Sequence, residues 1–199
     1  MINYRFVRVN TIFLTAALVL LLPAFAAAQA VTTELTATEF FDPMNLFGNG
    51  SVGTYINPGT LTCPGAQPTG NPMQPCPPGS RMNFRGVSWE SRVMSLSPLL
   101  TGWFYNEGNN NFDAHGTGQV WGTFRIELDA GGVWEGSWTA DRSKVEDVWI
   151  VRVRGVGRGR GGAVDGMQLH FTEVAPMPTF IPIVWLGSMD AEILAPPSR

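Results

Sequence analysis

The sequence predicts an all-β fold, a single antiparallel barrel of about eight strands, with a β-sandwich as the alternative. Three observations carry this. Glycine and proline are abundant, 23 and 15 of 199 residues, which suits short strands joined by tight turns. Stretches of apolar–polar alternation recur at short spacing, with turn-forming residues between them. Long patterns of helical period are missing. Closure into a barrel is preferred because it removes exposed sheet edges and explains glycines where strands coil sharply.

Residues 1–30 stand apart from this pattern. Arg5 and Arg8 make a short basic start, Ile12 to Phe25 is almost wholly apolar, and Ala26-Ala27-Ala28-Gln29-Ala30 offers small-residue cleavage sites after Ala28 or Ala30. That is the layout of a secretory signal peptide, so the mature chain is expected to be secreted or periplasmic. No cysteine follows the apolar run and no paired arginines precede it, against lipid anchoring and twin-arginine export. The leader holds two of the 13 basic residues and none of the 16 acidic ones, leaving 11 bases against 16 acids, a net −5. A mildly acidic chain is poorly suited to nucleic acid. No later apolar stretch is long enough for a membrane helix; Phe180 to Leu186 is short and broken by Pro182.

The barrel domain is expected over residues 31–199. Val31 to Thr38, rich in β-branched residues, reads as the first strand. Residues 42–80 read as a long loop, dominated by Asn, Gly and Pro, with no strand period. Its cysteines, Cys63 and Cys76, flank a proline- and glycine-rich stretch. In an oxidising compartment they should form a disulfide, contributing about 3 kcal/mol by closing a short loop. Metal ligation is the alternative, but no histidine is near in sequence.

From Arg81 onward strands repeat. Met82, Phe84 and Gly86 share one face, then Val87 and Trp89 take the apolar phase, which predicts a bulge near Gly86. Leu99 to Tyr105 follows, ending in the turn-like Asn106–Asn111. Gln119 to Leu128 alternates, with Val120, Gly122, Phe124, Ile126 and Leu128 on one side. Asp129-Ala130-Gly131-Gly132 then reverses the chain into Val133–Thr139 as a hairpin. Val148–Arg154, a glycine-rich turn, Met167–Val174 and Val184–Leu194 complete the set.

Two glycine patterns stand at strand entrances, His115-Gly116-Thr117-Gly118-Gln119-Val120-Trp121-Gly122 and Gly155-Val156-Gly157-Arg158-Gly159-Arg160-Gly161-Gly162, with Gly131-Gly132-Val133-Trp134-Glu135-Gly136 between them. Over roughly residues 81–194 this layout resembles the allene oxide cyclase and dirigent-type β-barrels and the bacterial secreted proteins built like them. The resemblance implies a barrel in which a Gly-x-Gly turn leads into one of the last strands. It carries over no catalytic residue.

Trp134 and Trp138 point the same way across Gly136. They either fill the interior, where aromatics dominate core energetics, or present a platform for a sugar or flat ligand. His115 follows Asp113 in a turn, and His170 shares a strand face with Gln168 and Thr172; neither has a carboxylate forced into reach, as a general base would need. Two histidines make a poor zinc site. Asn106, Glu107, Asn109, Asn110 and Asp113, like Asp141, Glu146 and Asp147, supply hard oxygens without the spacing of a calcium loop, and read as polar turns. Arg152 and Arg154 alternate with valines, a solvated strand face or a small anion site at one rim.

No hydrolase elbow or zinc-protease motif is present in the sequence. The expected function is therefore binding without catalysis: a small apolar or aromatic ligand in the barrel lumen, near Trp121, Trp134, Trp138, Arg152, Arg154 and His170. No catalytic residue, cofactor or metal is called for. A cyclase- or isomerase-type enzyme is the first rival and predicts a real cavity with a polar cluster, sought around His170, Gln168 and Glu173. A glycan-binding module is the second and predicts solvent-exposed Trp134 and Trp138.

Overall fold

A computed structural model describes residues 31–46, 48, 50–71, 75–177 and 184–196 of the chain. The leader and Phe180–Ile183 lie outside the described residues. The fold is all-β, with ten antiparallel strands in one sheet: β1 (Val31–Phe41), β2 (Thr54–Asn57), β3 (Thr60–Thr62), β4 (Met82–Ser95), β5 (Gly102–Phe112), β6 (Gly118–Leu128), β7 (Val133–Val145), β8 (Val148–Arg160), β9 (Gln168–Met177) and β10 (Trp185–Ala195). One 3-10 turn, Gly162–Val164, interrupts them. Among the described residues, no helix is long and apolar enough to cross a membrane.

Strands β4 to β10 form a meander in sequence order, and β1 joins β10 along its full length, from Val31↔Ala195 to Phe41↔Trp185. Strand β1 also pairs with β4 over Ala37–Phe40, so eight strands form a barrel-like ring. The closure is not clean. Beyond Phe40 the first strand leaves β4, and β2 and β3 take over the vacated edge at Ser88–Glu90 and Asn83–Arg85.

The segment 42–80 therefore differs from the loop expected: it holds two strands that complete the wall. Thr54-Tyr55-Ile56 and Thr60-Leu61-Thr62 are too short to show a period, and Asn57-Pro58-Gly59 reverses the chain between them, with the Gly59 N–H donating to Asn57 Oδ1 at 2.9 Å. Cys63 and Cys76 are disulfide-bonded, with Cα atoms 5.7 Å apart.

The bulge near Gly86 is present: the β4–β5 register slips between Phe84 and Val87, and Gly86 has φ +65°. It also explains why Asn106–Asn111 belong to a strand rather than a turn. Amide donors released by the bulge find partners in the asparagine side chains, Phe84 N–H on Asn110 Oδ1 (3.2 Å) and Gly86 N–H on Asn109 Oδ1 (3.1 Å). The turn falls instead at Asp113–Thr117, where Asp113 Oδ1 accepts the His115 and Thr117 amides at 2.8 and 3.0 Å.

The glycine-rich stretch after Arg154 is likewise strand, with β8 running to Arg160. Gly155 and Gly157 make room for rings: a methyl group on Gly155 would overlap Phe171, and one on Gly157 would press on Phe124. Those rings and Phe104 form an edge-to-face trio with centroids 5.4–6.2 Å apart. On the Ser95–Gly102 side of this trio the interior is solid, filled by Leu100, Ile126, Trp134, Val164, Leu169 and Ile193, each at most 2% exposed.

Candidate functional site

On the other side of the trio the barrel holds a half-open cavity of about 430 Å³. Its walls come from inward positions of nearly every strand: Trp89, Trp138 and Trp185, Phe84 and Phe112, then Val120, Val151, Val153, Ala175 and Met177, with Tyr55 and Pro58 from the β2–β3 hairpin. Trp89 sets the aromatic surface, 6.0 Å from Trp138 and 5.9 Å from Trp185 between centroids, both edge-on. Phe104 lies at the floor.

Into this apolar space the fold places two carboxyl groups, Glu39 from β1 and Glu173 from β9, 4% and 3% exposed. Strand β10 runs between their strands and would hold them apart, but Gly187, directly opposite Glu39, has no side chain there. A methyl group on Gly187 would overlap the Glu173 carboxyl. The glycine thus lets the two acids meet above β10, where their side chains hydrogen-bond. Glu39 also accepts the Ser91 hydroxyl at 2.5 Å and a bond from Trp185.

Burial pushes both carboxyls above the ordinary glutamic range. The donors around Glu39 oppose the rise, whereas the charge of Glu39 and the bond to it drive Glu173 further up. The pair therefore shares one proton, held by Glu173 and donated to the Glu39 carboxylate. A stability consequence follows. Because the folded state raises the affinity of Glu173 for its proton, that contribution is fully present below the unfolded value near 4.5 and is lost as pH rises through the folded value. Glu173→Gln carries no titrating group, so its melting temperature relative to wild type should climb as pH increases from about 4 to about 9. A difference that stays flat across that range would contradict the shared proton.

Asn106 and Trp89 line the same space, each with a side-chain nitrogen closed off from it. Asn106 is 5% exposed, and its Nδ2 has no hydrogen-bond partner among the described residues; neither has Trp89 Nε1. They sit opposite each other across β4–β5. Near Phe112, at the end of the cavity away from the trio, Arg142 is buried with its guanidinium carbon 4.8 Å from the Phe112 ring centroid and 4.3 Å from that of Trp149. Burial lowers its pKa to about 10, so it stays charged at neutral pH.

Of the residues singled out in the sequence, Trp138 borders the cavity, its indole N–H donating to Thr123 O at 3.2 Å. Trp134 is wholly buried in the solid half, donating to Leu99 O at 2.8 Å. Neither offers a face to solvent. Trp121 lies on the outer face with the Arg85 guanidinium 5.2 Å from its ring centroid. Arg152 and Arg154 point outward on β8, Arg152 reaching Ser143 Oγ at 3.4 Å, and His170 and Gln168 point outward on β9.

The real cavity does hold a polar cluster, but of those three residues only Glu173 belongs to it. Strand alternation separates them: 168, 170 and 172 face out while 169, 171 and 173 face in. Glu39, Ser91 and Gly187 were missed, and Asn106, read as part of a polar turn, is an inward residue of β5. A signal existed, since Glu39 lies between Ala37 and Phe41, and Glu173 between Phe171 and Ala175, each in the apolar phase of its strand. Among known proteins, no family, no curated protein and no solved structure matches this chain.

Proposed function

We propose that this protein is a secreted or periplasmic barrel that takes one small, largely apolar molecule into its lumen and orients it by a polar group facing Glu39, Glu173 and Asn106. The observation that carries the reading is the combination of a 430 Å³ aromatic-walled cavity with a few buried polar groups set into its apolar walls. Ligand sites have this composition: apolar walls supply affinity and a few convergent polar groups set orientation. The exported location rests on the leader, with the disulfide in support. Kinship with the allene oxide cyclase and dirigent-type barrels remains part of this proposal, supported by the eight-stranded ring and the glycine patterns.

Protein exported with its own leader should show, by native mass spectrometry, a reproducible extra mass beyond the oxidised chain, which solvent extraction then identifies. Ala175→Phe projects a ring into the lumen and should remove that mass while leaving the protein folded. A clean mass for wild type, or the same adduct on both proteins, would count against a lumenal site.

A further inference from the structure

We propose that the outer face of β8, β9 and β10 binds a second copy of this chain, with Arg154 of each copy paired to Asp190 of the other. The inference concerns the outside of the barrel and holds whatever the lumen takes up. Its basis is the strand register. Outward residues of neighbouring strands stand in rows, and one row runs Thr139, Arg154, Thr172, Asp190 and Thr36 from β7 to β1. Arg154 and Asp190 are both exposed, and each has a threonine on either side. Neither has an opposite charge directly across from it, and among the described residues neither forms a salt bridge.

The next row adds to the imbalance. Glu192 stands opposite Glu34 of β1, a like-charge contact that is unfavourable by itself. On its other side Glu192 meets His170, with no lysine or arginine there. Arg152 and Arg158, by contrast, are partly answered within the chain, because Asp141 and Glu135 of β7 lie opposite them. The unanswered charges are therefore Arg154 on β8 and the acids of β10 and β1.

Two strand spacings, about 10 Å, separate β8 from β10. The face thus carries a positive line and a negative line with β9 between them, and such a face is complementary to itself. A two-fold axis lying along β9 sets β8 of one copy against β10 of the other and keeps each row level. Arg154 then meets Asp190 of the other copy, and Glu192 falls at Val156, between Arg154 and Arg158 of the other copy. Symmetry makes each contact twice. Val174 and Val156, 47% and 53% exposed, lie on either side of the central row and supply apolar area for the contact to cover. Five strands and five outward rows give a face of roughly 20 by 30 Å, at the small end for a specific interface. The dimer is therefore weak and sensitive to salt.

Analytical ultracentrifugation tests this. Protein exported with its own leader should sediment as a monomer–dimer mixture between about 10 and about 200 µM at low salt, and as monomer at about 0.5 M salt. The chain is net negative, so repulsion between whole copies would give the opposite trend with salt. Arg154→Asp and Asp190→Arg should each weaken the dimer about 10-fold or more, because each sets like charges together twice. Both positions are exposed, and an unchanged cooperative thermal transition verifies the folds. Mixed in equal amounts, the two single variants should associate again, since the mixed dimer has opposite charges at both contacts. The double variant Arg154→Asp/Asp190→Arg should dimerise like wild type. A wild type that stays monomeric throughout the range at low salt would overturn the proposal and leave the face to a different partner. Dimerisation that survives either single change, or that neither mixing nor the double variant recovers, would overturn it as well.

Discussion

Trp134→Ala is expected to destabilise the barrel by about 3–5 kcal/mol, among the largest single-residue losses in the molecule. Trp134 has no exposed surface, and it belongs to the cluster that fills the solid half of the interior. Truncation removes its transfer free energy and leaves a void that ring closure prevents from collapsing. It also strands the carbonyl of Leu99, which accepts the indole N–H at 2.8 Å. Trp134→Phe keeps most of the volume and should show a smaller loss, dominated by that carbonyl. Urea unfolding of the three proteins checks the order. A truncation that left the midpoint unchanged would mean that this half is not the seat of stability.

Gly155→Ala should cost about 1–3 kcal/mol, although alanine is ordinarily tolerated better than glycine in a strand. Its backbone is not in the left-handed region, so the cost is steric. The added methyl would overlap Cε1 and Cζ of Phe171, and that ring is hemmed in by Phe124 at 5.4 Å and Phe104 at 6.2 Å. Phe171→Leu alone should also destabilise, by deleting part of the trio. In the double variant the two losses should partly cancel, because the smaller side chain leaves room for the methyl group. A double-mutant cycle in urea measures that coupling. Strict additivity would refute the clash.

Barrel and strand order were legible because inward and outward residues alternate for long stretches, most plainly in Gln119–Leu128 and across the Asp129–Gly132 turn. The bulge was legible for the same reason, as a break in phase at Gly86. Composition misled in two places. The asparagines of 106–111 read as a turn because their type favours one, yet their side chains serve the bulge on the neighbouring strand. The glycines after Arg154 read as a turn because glycine permits one, yet some are there to admit rings from β6 and β9. Both errors have one cause: the partner lies on another strand, beyond the reach of local pattern. The Glu39–Glu173 pair was hidden more deeply. Its members are far apart in sequence and meet only because β10 offers Gly187 between them.

On the proposed lumenal reading, the split interior would let the same barrel change its ligand without renegotiating its fold. Val120, Val151, Val153 and Ala175 border empty space, so exchanging them among small apolar residues reshapes the chamber at little cost in folding energy. The same exchanges at Leu100, Ile126 or Leu169 would fall on close-packed neighbours and be selected against. Drift in a lineage of such proteins would therefore be lopsided, quick at the lumen and slow behind the phenylalanine trio. Ligand preference would diverge long before the architecture did.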